Sequence, residues 1–575
     1  MMGQNSLIAF VLFVCYFNGI NSEQNDVKII KNCTLDDLRN INDDFKSVNS
    51  HLLNFAFFDC NLPALPDAIF FNVLNIKSIE FVRTKISTIS TFAFNGLDNL
   101  ETLTIGGNAN LTLLQQWTTS NLDKLNQLNL YQNGIRHLDK IALRRYPMLA
   151  HLILMENAIG EIPEGFFDFS LNIETLNLAK NQIKKIEYST FKVLLRLIDL
   201  DLSYNQINFI DSYAFTTTTH LKTLKLNGNQ LTTIHSKFFY NLAGLEYLNL
   251  SENALNDYTG LDEDAFQQNS KLLHLDVSHN SMISIKTHSL NGLKALEILN
   301  ASHNQIASIP STALKDLTNL KHLDVSHNKL TLLLDNQFAS LTSIESINLS
   351  YNEISSIQQF TFTDLKTLQT LNLSSNQLQM YEFLEQAAEI KTIDLQNNQY
   401  HEINLTAFRT FETVHLNNNH WNCSWLLMAL SKRDHLVSNI EFGFEFDDFG
   451  LENSRKLTQD VQCYDYRQLD KPTIQRIIII NSDCDATRNE KKKKSTINTY
   501  PRTFSKLLNE EFDYKACLLW TVVAVFLVIG LVRVGKYCLE RSEKKSERYR
   551  IVQQEKVLKD IDEYFAKNSK RKQRS

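Results

Sequence analysis

One spacing of apolar residues governs most of the chain. The pattern L-x-x-L-x-L-x-x-N-x-L recurs between residues 52 and 422, and residues 197–207 (LIDLDLSYNQI) are a clean copy. Its asparagine returns at intervals of mostly 24 residues, and Thr84 and Cys60 occupy the asparagine position of the two earliest copies. A fixed period of this length over sixteen copies predicts a repeat architecture.

The alternation within each L-x-L core predicts a short strand with one buried face. A unit of 24 residues cannot bury that face alone, so the units must stack, with parallel strands about 4.8 Å apart. The repeat asparagine carries a donor and acceptors, and we expect it to bond turn backbone between coils. One phenylalanine position recurs on the far side of each coil and predicts an aromatic spine, at Phe94, Phe191, Phe215, Phe239, Phe266, Phe338 and Phe362.

Over about residues 50–422 the chain resembles leucine-rich-repeat proteins of the extracellular 24-residue subclass. The resemblance implies an α/β solenoid, a curved leucine-rich-repeat horseshoe with a parallel β-sheet on its concave side and disulfide caps at both ends. Residues 419–427 (NHWNCSWLL) are similar to the C-terminal flanking domain of this class, except that Trp425 stands where a second cysteine is usual.

Two apolar segments predict the compartment. Residues 7–17 are too short to cross a bilayer and precede a polar stretch, which favours a secretory signal peptide over an uncleaved anchor. Residues 516–532 carry no charge and are followed by basic residues, which predicts one membrane span with the N-terminus outside the plasma membrane. We therefore expect this organisation: signal peptide 1–22, N-terminal cap and first repeat 23–62, repeats 63–422, C-terminal cysteine cap 423–484, basic stalk 485–515, transmembrane helix 516–534 and basic cytoplasmic tail 535–575.

The charge distribution and the lack of catalytic motifs argue against two classes of function, nucleic-acid binding and catalysis. The net charge is -6, but residues 533–575 hold fourteen Lys/Arg against seven Asp/Glu, so the remainder is strongly acidic and unsuited to nucleic acid. The sequence contains no HExxH, GxSxG, CxxC, GxGxxG or Walker A pattern, so we predict no enzyme and no cofactor.

The cysteines that this organisation places outside the cell are odd in number: Cys33, Cys60, Cys423, Cys463 and Cys484. A Cys33–Cys60 disulfide would hold the N-terminal cap in an oxidising compartment. At the other end we favour Cys423–Cys463, which leaves Cys484 for a disulfide-linked dimer; a buried free cysteine or a Cys463–Cys484 pair is the alternative.

The Cys423-x-Trp425 variant, the Cys33/Cys60 head and the repeats between them together resemble the leucine-rich immune proteins of mosquitoes. That resemblance implies recognition of pathogens or partnership with complement-like thioester proteins. Many members end in a coiled coil, so the membrane span here indicates a transmembrane branch.

Two further patterns lie on the repeats. His279, His303 and His327 occupy one slot in three successive coils, about 5 Å apart, which predicts a histidine ladder that binds metal or senses pH, or else an ordinary exposed strand end. Eight N-x-S/T sequons predict glycosylation, four of them in the strand itself, although asparagine is also common there. The sequons are Asn32, Asn110, Asn249, Asn300, Asn348, Asn372, Asn404 and Asn422.

Glycans on the later strands would block that half, so we expect a ligand to use the earlier coils. The outward residues there mix aromatic and charged side chains, as recognition surfaces do, although scattered exposed residues are also ordinary. They are Tyr131, His151, Met155, Glu156, Lys180, Tyr204 and Tyr247. In the tail, Tyr549 and Val552 fit a tyrosine-based sorting signal.

The sequence thus predicts a single-pass recognition receptor of innate immunity. It would bind a protein or microbial surface ligand and would lack a signalling enzyme of its own. The alternative is an adhesion or guidance protein that uses the same solenoid to join cells.

Overall fold

A computed structural model describes residues 27–38, 54–70, 75–119, 121–256, 260–387, 389–408, 410–422, 425 and 440–441. These residues form a stack of coils, and each of the sixteen repeat copies contributes one strand to a common parallel sheet. The strands, in chain order, are β1 Val27–Lys31, β2 Asn54–Phe58, β3 Ala64–Leu65, β4 Ser78–Val82, β5 Thr88–Ile89, β6 Thr102–Gly106, β7 Leu113–Leu114, β8 Gln127–Asn129, β9 His137–Leu138, β10 His151–Ile153, β11 Thr175–Asn177, β12 Lys185–Ile186, β13 Asp199–Asp201, β14 Phe209–Ile210, β15 Thr223–Lys225, β16 Tyr247–Asn249, β17 His274–Asp276, β18 Ile298–Asn300, β19 His322–Asp324, β20 Leu332–Leu333, β21 Ser346–Asn348, β22 Ser356–Ile357, β23 Thr370–Asn372, β24 Thr392–Asp394, β25 Thr413–His415 and β26 Ile440–Glu441.

Each strand of the main sheet pairs in parallel with the equivalent strand of the next coil. The register is that of the repeat: Leu200 of β13 lies opposite Leu176 of β11 on one side and Leu224 of β15 on the other. Four pairs of two-residue strands, including β12 with β14, form a second set of contacts. Three short 3₁₀ helices span Ser311–Leu314, Glu382–Gln386 and Leu405–Phe408. The predicted parallel-sheet solenoid is confirmed.

The repeat asparagine bridges neighbouring coils as expected. Nδ2 of Asn205 donates to the carbonyl oxygens of Leu178, one coil earlier, and Leu202, at 2.9 and 3.0 Å. Its Oδ1 accepts the N–H of Ile183 at 3.1 Å. Because turn backbone that cannot reach a strand partner must still be hydrogen-bonded, this buried amide closes each turn.

Stacked phenylalanines fill the side of the coils away from the main sheet. Phe191 and Phe215 stack with ring centroids 6.0 Å apart, and Phe239 and Phe266 with centroids 5.7 Å apart. All four side chains are almost fully buried, so the predicted spine forms part of the core. At the N-terminal end, Cys33 and Cys60 are joined by a disulfide, and Cys60 occupies the asparagine position of its coil.

Several predicted features lie outside the described residues. They are the signal peptide 1–22, Cys423, Cys463 and Cys484, the stalk 485–515, the transmembrane helix 516–534, and the tail with Tyr549 and Val552. Among the residues that are described, no helix has the length and apolarity that a bilayer crossing requires.

Candidate functional site

The third residue of each main-sheet strand from β8 to β25 forms a row across the solvent-facing side of the sheet, which we call the central column; it continues to Glu80 of β4 and Thr104 of β6. In nine coils this residue is Asn or Asp, and its Oδ1 accepts the N–H of the residue two places later. Asp201 does so with Ser203 at 3.0 Å, and Asn300 with Ser302 at 3.1 Å. Such a side-chain bond bends the backbone at the strand end.

Four of the predicted glycosylation sites stand in this column and are half-buried: Asn249, Asn300, Asn348 and Asn372. In each, Oδ1 holds the N–H of a serine two places on. The N-x-S sequence at these positions therefore also has a structural cause. Glycosylation stays a prediction, as it does at Asn32, Asn110, Asn404 and Asn422.

A second row crosses the sheet just beyond the carboxyl ends of the strands. It consists of the residue directly before the repeat asparagine in each coil, and we call it the ladder column. From Asp59 to Asn418, every non-glycine residue of this column has φ between +51° and +57°, the left-handed region. From Asp59 to Asn397, the amide of each residue still donates to the next coil, as Lys180 does to the Ser203 oxygen at 2.8 Å. The side chains of successive ladder residues therefore meet one another.

Two of the predicted ligand residues are linked in the ladder column. Oε1 of Glu156 accepts from Lys180 Nζ at 2.7 Å, and Oε2 accepts from Gln132 Nε2 at 2.6 Å. The hydrogen bond from Lys180 holds the pKa of the Glu156 carboxyl below its usual value, while burial opposes this shift. This segment thus offers a fixed row of amide, carboxylate and ammonium groups across three coils.

The side chain of Tyr204, also in the ladder column, reaches across one intervening coil. Its hydroxyl donates to Oε1 of Glu252 at 3.1 Å, two coils away. The intervening ladder residue is Gly228, where an added Cβ would come within 2.5 Å of the Tyr204 ring. Glu252 was not among the sequence candidates, although its position directly before Asn253 marks it as a ladder residue.

The three predicted histidines form a continuous stack. Ring centroids of His279 and His303 are 4.1 Å apart, and those of His303 and His327 are 4.0 Å apart, with planes tilted by only 10°. Tyr351 extends the stack at 4.2 Å from His327. The sequence prediction omitted Tyr351, which occupies the same slot before Asn352.

The geometry of the stack bears on the two predicted roles. Lone pairs of imidazole nitrogens lie in the ring plane, so those of parallel rings do not converge on one ion. Within the described part of the chain, no group of three or more His, Cys, Asp or Glu side chains is placed to hold a metal. Burial lowers the pKa of His303, the charges of His327 and His279 lower it further, and Asp324 opposes them. The stacked rings do not converge on one ion, and the metal and pH roles stay predictions beside that of an ordinary exposed strand end.

The other predicted ligand residues lie in the same group of coils, from β8 to β16. His151 begins β10 and Tyr247 begins β16, and both are half-buried; the Tyr247 ring lies 4.8 Å from that of His274. The Met155 sulfur lies 4.0 Å from Nδ2 of Asn177. Tyr131 is half-buried, and burial raises the pKa of its hydroxyl. These residues share one face over six coils but form no enclosed pocket.

This fold and this open face define a leucine-rich-repeat solenoid. The family model "Leucine rich repeat" matches residues 171–231, 219–260, 255–306, 302–354 and 342–399. The model "BspA type Leucine rich repeat region (6 copies)" matches residues 13–133 and 63–197. The chain is therefore a leucine-rich-repeat protein, a class that typically serves as a non-enzymatic binding scaffold.

Several solved structures resemble this chain. A chain of the Toll–Spatzle complex from Drosophila has a TM-score of 0.59 and 17% identity, with coverage of 72% of this chain and 64% of that one. This chain thus spans less than two thirds of that relative, and the likeness shows the fold alone. The LRIM1/APL1C complex (TM-score 0.47, 17% identity, 95% of this chain and 94% of that one) and the APL1 leucine-rich repeat domain (0.43, 19%, 70% and 90%) are also similar. No curated protein matches the sequence.

Proposed function

We propose that this chain is a single-pass cell-surface receptor of innate immunity that recognises a protein or microbial ligand and has no signalling enzyme of its own. The observation that carries the proposal is the row of polar and aromatic side chains from Tyr131 to Tyr247 on one open face. A parallel sheet of stacked coils presents such a face as a continuous, rigid binding surface. Recognition surfaces are rich in tyrosine, and this row contains three.

The comparisons support the kind of ligand. The Toll–Spatzle complex, a chain of which shares this fold, is described as a molecular hub in Drosophila development and innate immunity. By analogy, a protein ligand on the solenoid is the simplest use of this surface. The resemblance to mosquito leucine-rich immune proteins adds complement-like thioester proteins as candidate partners.

The membrane location rests on the sequence. The apolar segment 516–534 would anchor the chain with the solenoid outside the cell, and the segment 1–22 would direct its secretion. Cys484 would then be available for a disulfide-linked dimer, which a non-reducing gel of the wild type and Cys484→Ser would detect.

Affinity capture from extracellular body fluid, followed by mass spectrometry, tests the proposal. A variant with Tyr131, Met155 and Tyr204 all changed to alanine should lose the captured ligand. A matched triple variant on the later strands, with alanine at Ser346, Thr370 and Thr392, should retain it. Unchanged capture by the first variant would reject this face as the binding surface, and cell aggregation on expression would favour the adhesion role instead.

A further inference from the structure

Three polar side chains lie side by side at the N-terminal end of the central column. Glu80 of β4 is in register with Thr104 of β6, and Thr104 is in register with Asn129 of β8. Glu80 and Asn129 are half-buried, and Thr104 is only 8% exposed. The row therefore presents a carboxylate, a hydroxyl and an amide on three adjacent strands.

The charge of Glu80 is not neutralised by its neighbours. Arg83, three residues later, turns away to Asp59, which accepts from its Nε at 2.8 Å and from its second terminal nitrogen at 3.1 Å. Within the described residues Glu80 forms no ion pair, and burial raises the pKa of its carboxyl. A half-buried carboxylate without a cation is costly and favours the arrival of one.

Asn129 supplies a second unused acceptor. In nine later coils the Oδ1 of the central-column residue accepts the N–H two places on, but Oδ1 of Asn129 is buried and has no hydrogen-bond partner in the described structure. Buried acceptors of this kind are rare in folded proteins and call for an explanation.

An aromatic ring completes the arrangement. The Tyr131 ring lies against Gly106, where any Cβ would collide with the ring. Burial and the charge of Glu80 raise the pKa of the Tyr131 hydroxyl, and the nearby Arg83 guanidinium, whose charge is compensated by Asp59, lowers it. A tyrosine face beside a carboxylate attracts ammonium and guanidinium groups through cation–π and charge interactions.

We propose that Glu80, Thr104, Asn129 and Tyr131 form a subsite for a basic side chain of an extended segment of the protein ligand. The cation would pair with Glu80 against the Tyr131 ring, and the Asn129 side chain would rotate to present its buried Oδ1 to a peptide N–H of the same segment. The inference rests on the proposed function, because it names the chemistry that one part of the same face recognises.

Binding of N-acetyl-hexalysine amide to the immobilised full chain, at about 150 mM salt to screen diffuse attraction, tests the subsite. Glu80→Gln should weaken binding about tenfold, the order expected for one charged hydrogen bond. Tyr131→Leu should also weaken it, whereas Tyr131→Phe should not, because phenylalanine keeps the ring face.

Asp394→Asn is the matched control. It removes one negative charge from the same column, near the opposite end in β24, and asparagine can keep the hydrogen bond from the Gln396 amide without creating an N-x-S/T sequon. It should change hexalysine binding by less than about twofold, as expected for a screened charge far from the subsite. Equal weakening by Glu80→Gln and Asp394→Asn would reveal diffuse attraction to an acidic surface and would overturn the subsite, as would no effect of Glu80→Gln.

The hexalysine assay also separates this inference from the proposed function. If Glu80→Gln weakens hexalysine binding but the triple alanine variant captures the natural ligand normally, the site binds basic side chains, whereas the receptor face, and with it the use of this site by the natural ligand, is wrong. If the triple variant loses the natural ligand and Glu80→Gln leaves hexalysine binding unchanged, the receptor face stands and the subsite is wrong.

Discussion

Low pH should destabilise the coils that carry the histidine stack, and substitution of His303 should remove this effect. Because His303 stacks on both His279 and His327, protonating all three rings creates two close pairs of like charges. Two unit charges 4 Å apart repel by about 1 kcal/mol in a water-like medium. His279 and His303 are exposed and His327 is half-buried, so the water-like figure gives the order of magnitude, and two pairs give about 2 kcal/mol.

The sign follows from the direction of the pKa shift. His303 has a lower pKa in the folded chain than the ordinary value of about 6.5, so the unfolded chain binds more protons as the pH falls through that value. Stability is therefore unaffected well above this pH and falls progressively below it. The facing carboxylate is Asp324 at the end of β19, whose charge offsets part of the effect.

Hydrogen exchange of the β17–β19 amides at pH 7.5 and pH 5, corrected for intrinsic rates, measures the loss. Acidification should reduce their protection by about 2 kcal/mol in the wild type. His303→Asn should abolish most of this, because it removes both close pairs and asparagine already occupies the ladder column at Asn397 and Asn418. His322→Asn removes one histidine from β19 outside the stack and should leave the pH dependence intact. The same pH dependence in the wild type and His303→Asn would refute the mechanism.

Three stability predictions follow from the packing. Asn205→Ala removes four hydrogen bonds and should cost about 3 kcal/mol of local stability, seen as lost amide protection in β11 and β13; protection equal to the wild type would contradict it. Phe239→Ala should cost about 3–5 kcal/mol by opening a cavity in the spine, with a lower urea midpoint as the measure. Arg83→Gln breaks an exposed ion pair with Asp59 and should cost less than about 1 kcal/mol; a larger shift in the same urea titration would show that the pair is more than a surface contact.

The repeat itself was predictable from single residues and their spacing. The L-x-L cores became strands because only one face of each can be buried, and the asparagine bridges followed from its donors and acceptors. Tyr351 and Glu252 could also be predicted from the sequence, since both stand directly before a repeat asparagine. The histidine prediction considered one residue type at this position and not every residue of the ladder column. Aligning that column would have placed Tyr351 after His327 and Glu252 two coils after Tyr204.

Other features depend on geometry that the sequence does not carry. The bond from Asp201 to the Ser203 amide requires the backbone to bend at the strand end, and Gly228 matters only because the Tyr204 ring lies across it. The isolation of Glu80 depends on which of two acids Arg83 approaches. Glu80 lies on the strand that precedes Arg83, and Asp59 lies one strand away. Both acids are therefore near Arg83, and the direction of the arginine side chain decides which one it pairs with.

A single glycan tests the central claim that the early coils bind the ligand through the open face of the sheet. Ala179→Ser turns Asn177-Leu178-Ala179 into an N-x-S sequon in the central column, and serine already occupies the equivalent place in the next coil, at Ser203. The same change combined with Asn177→Asp restores the Asp-Leu-Ser sequence of that next coil and cannot be glycosylated. Expressed in secretory cells, the glycosylated variant should fail to capture the ligand from body fluid, while the double variant captures it normally. Capture by a chain shown to carry the glycan at Asn177 would contradict the account.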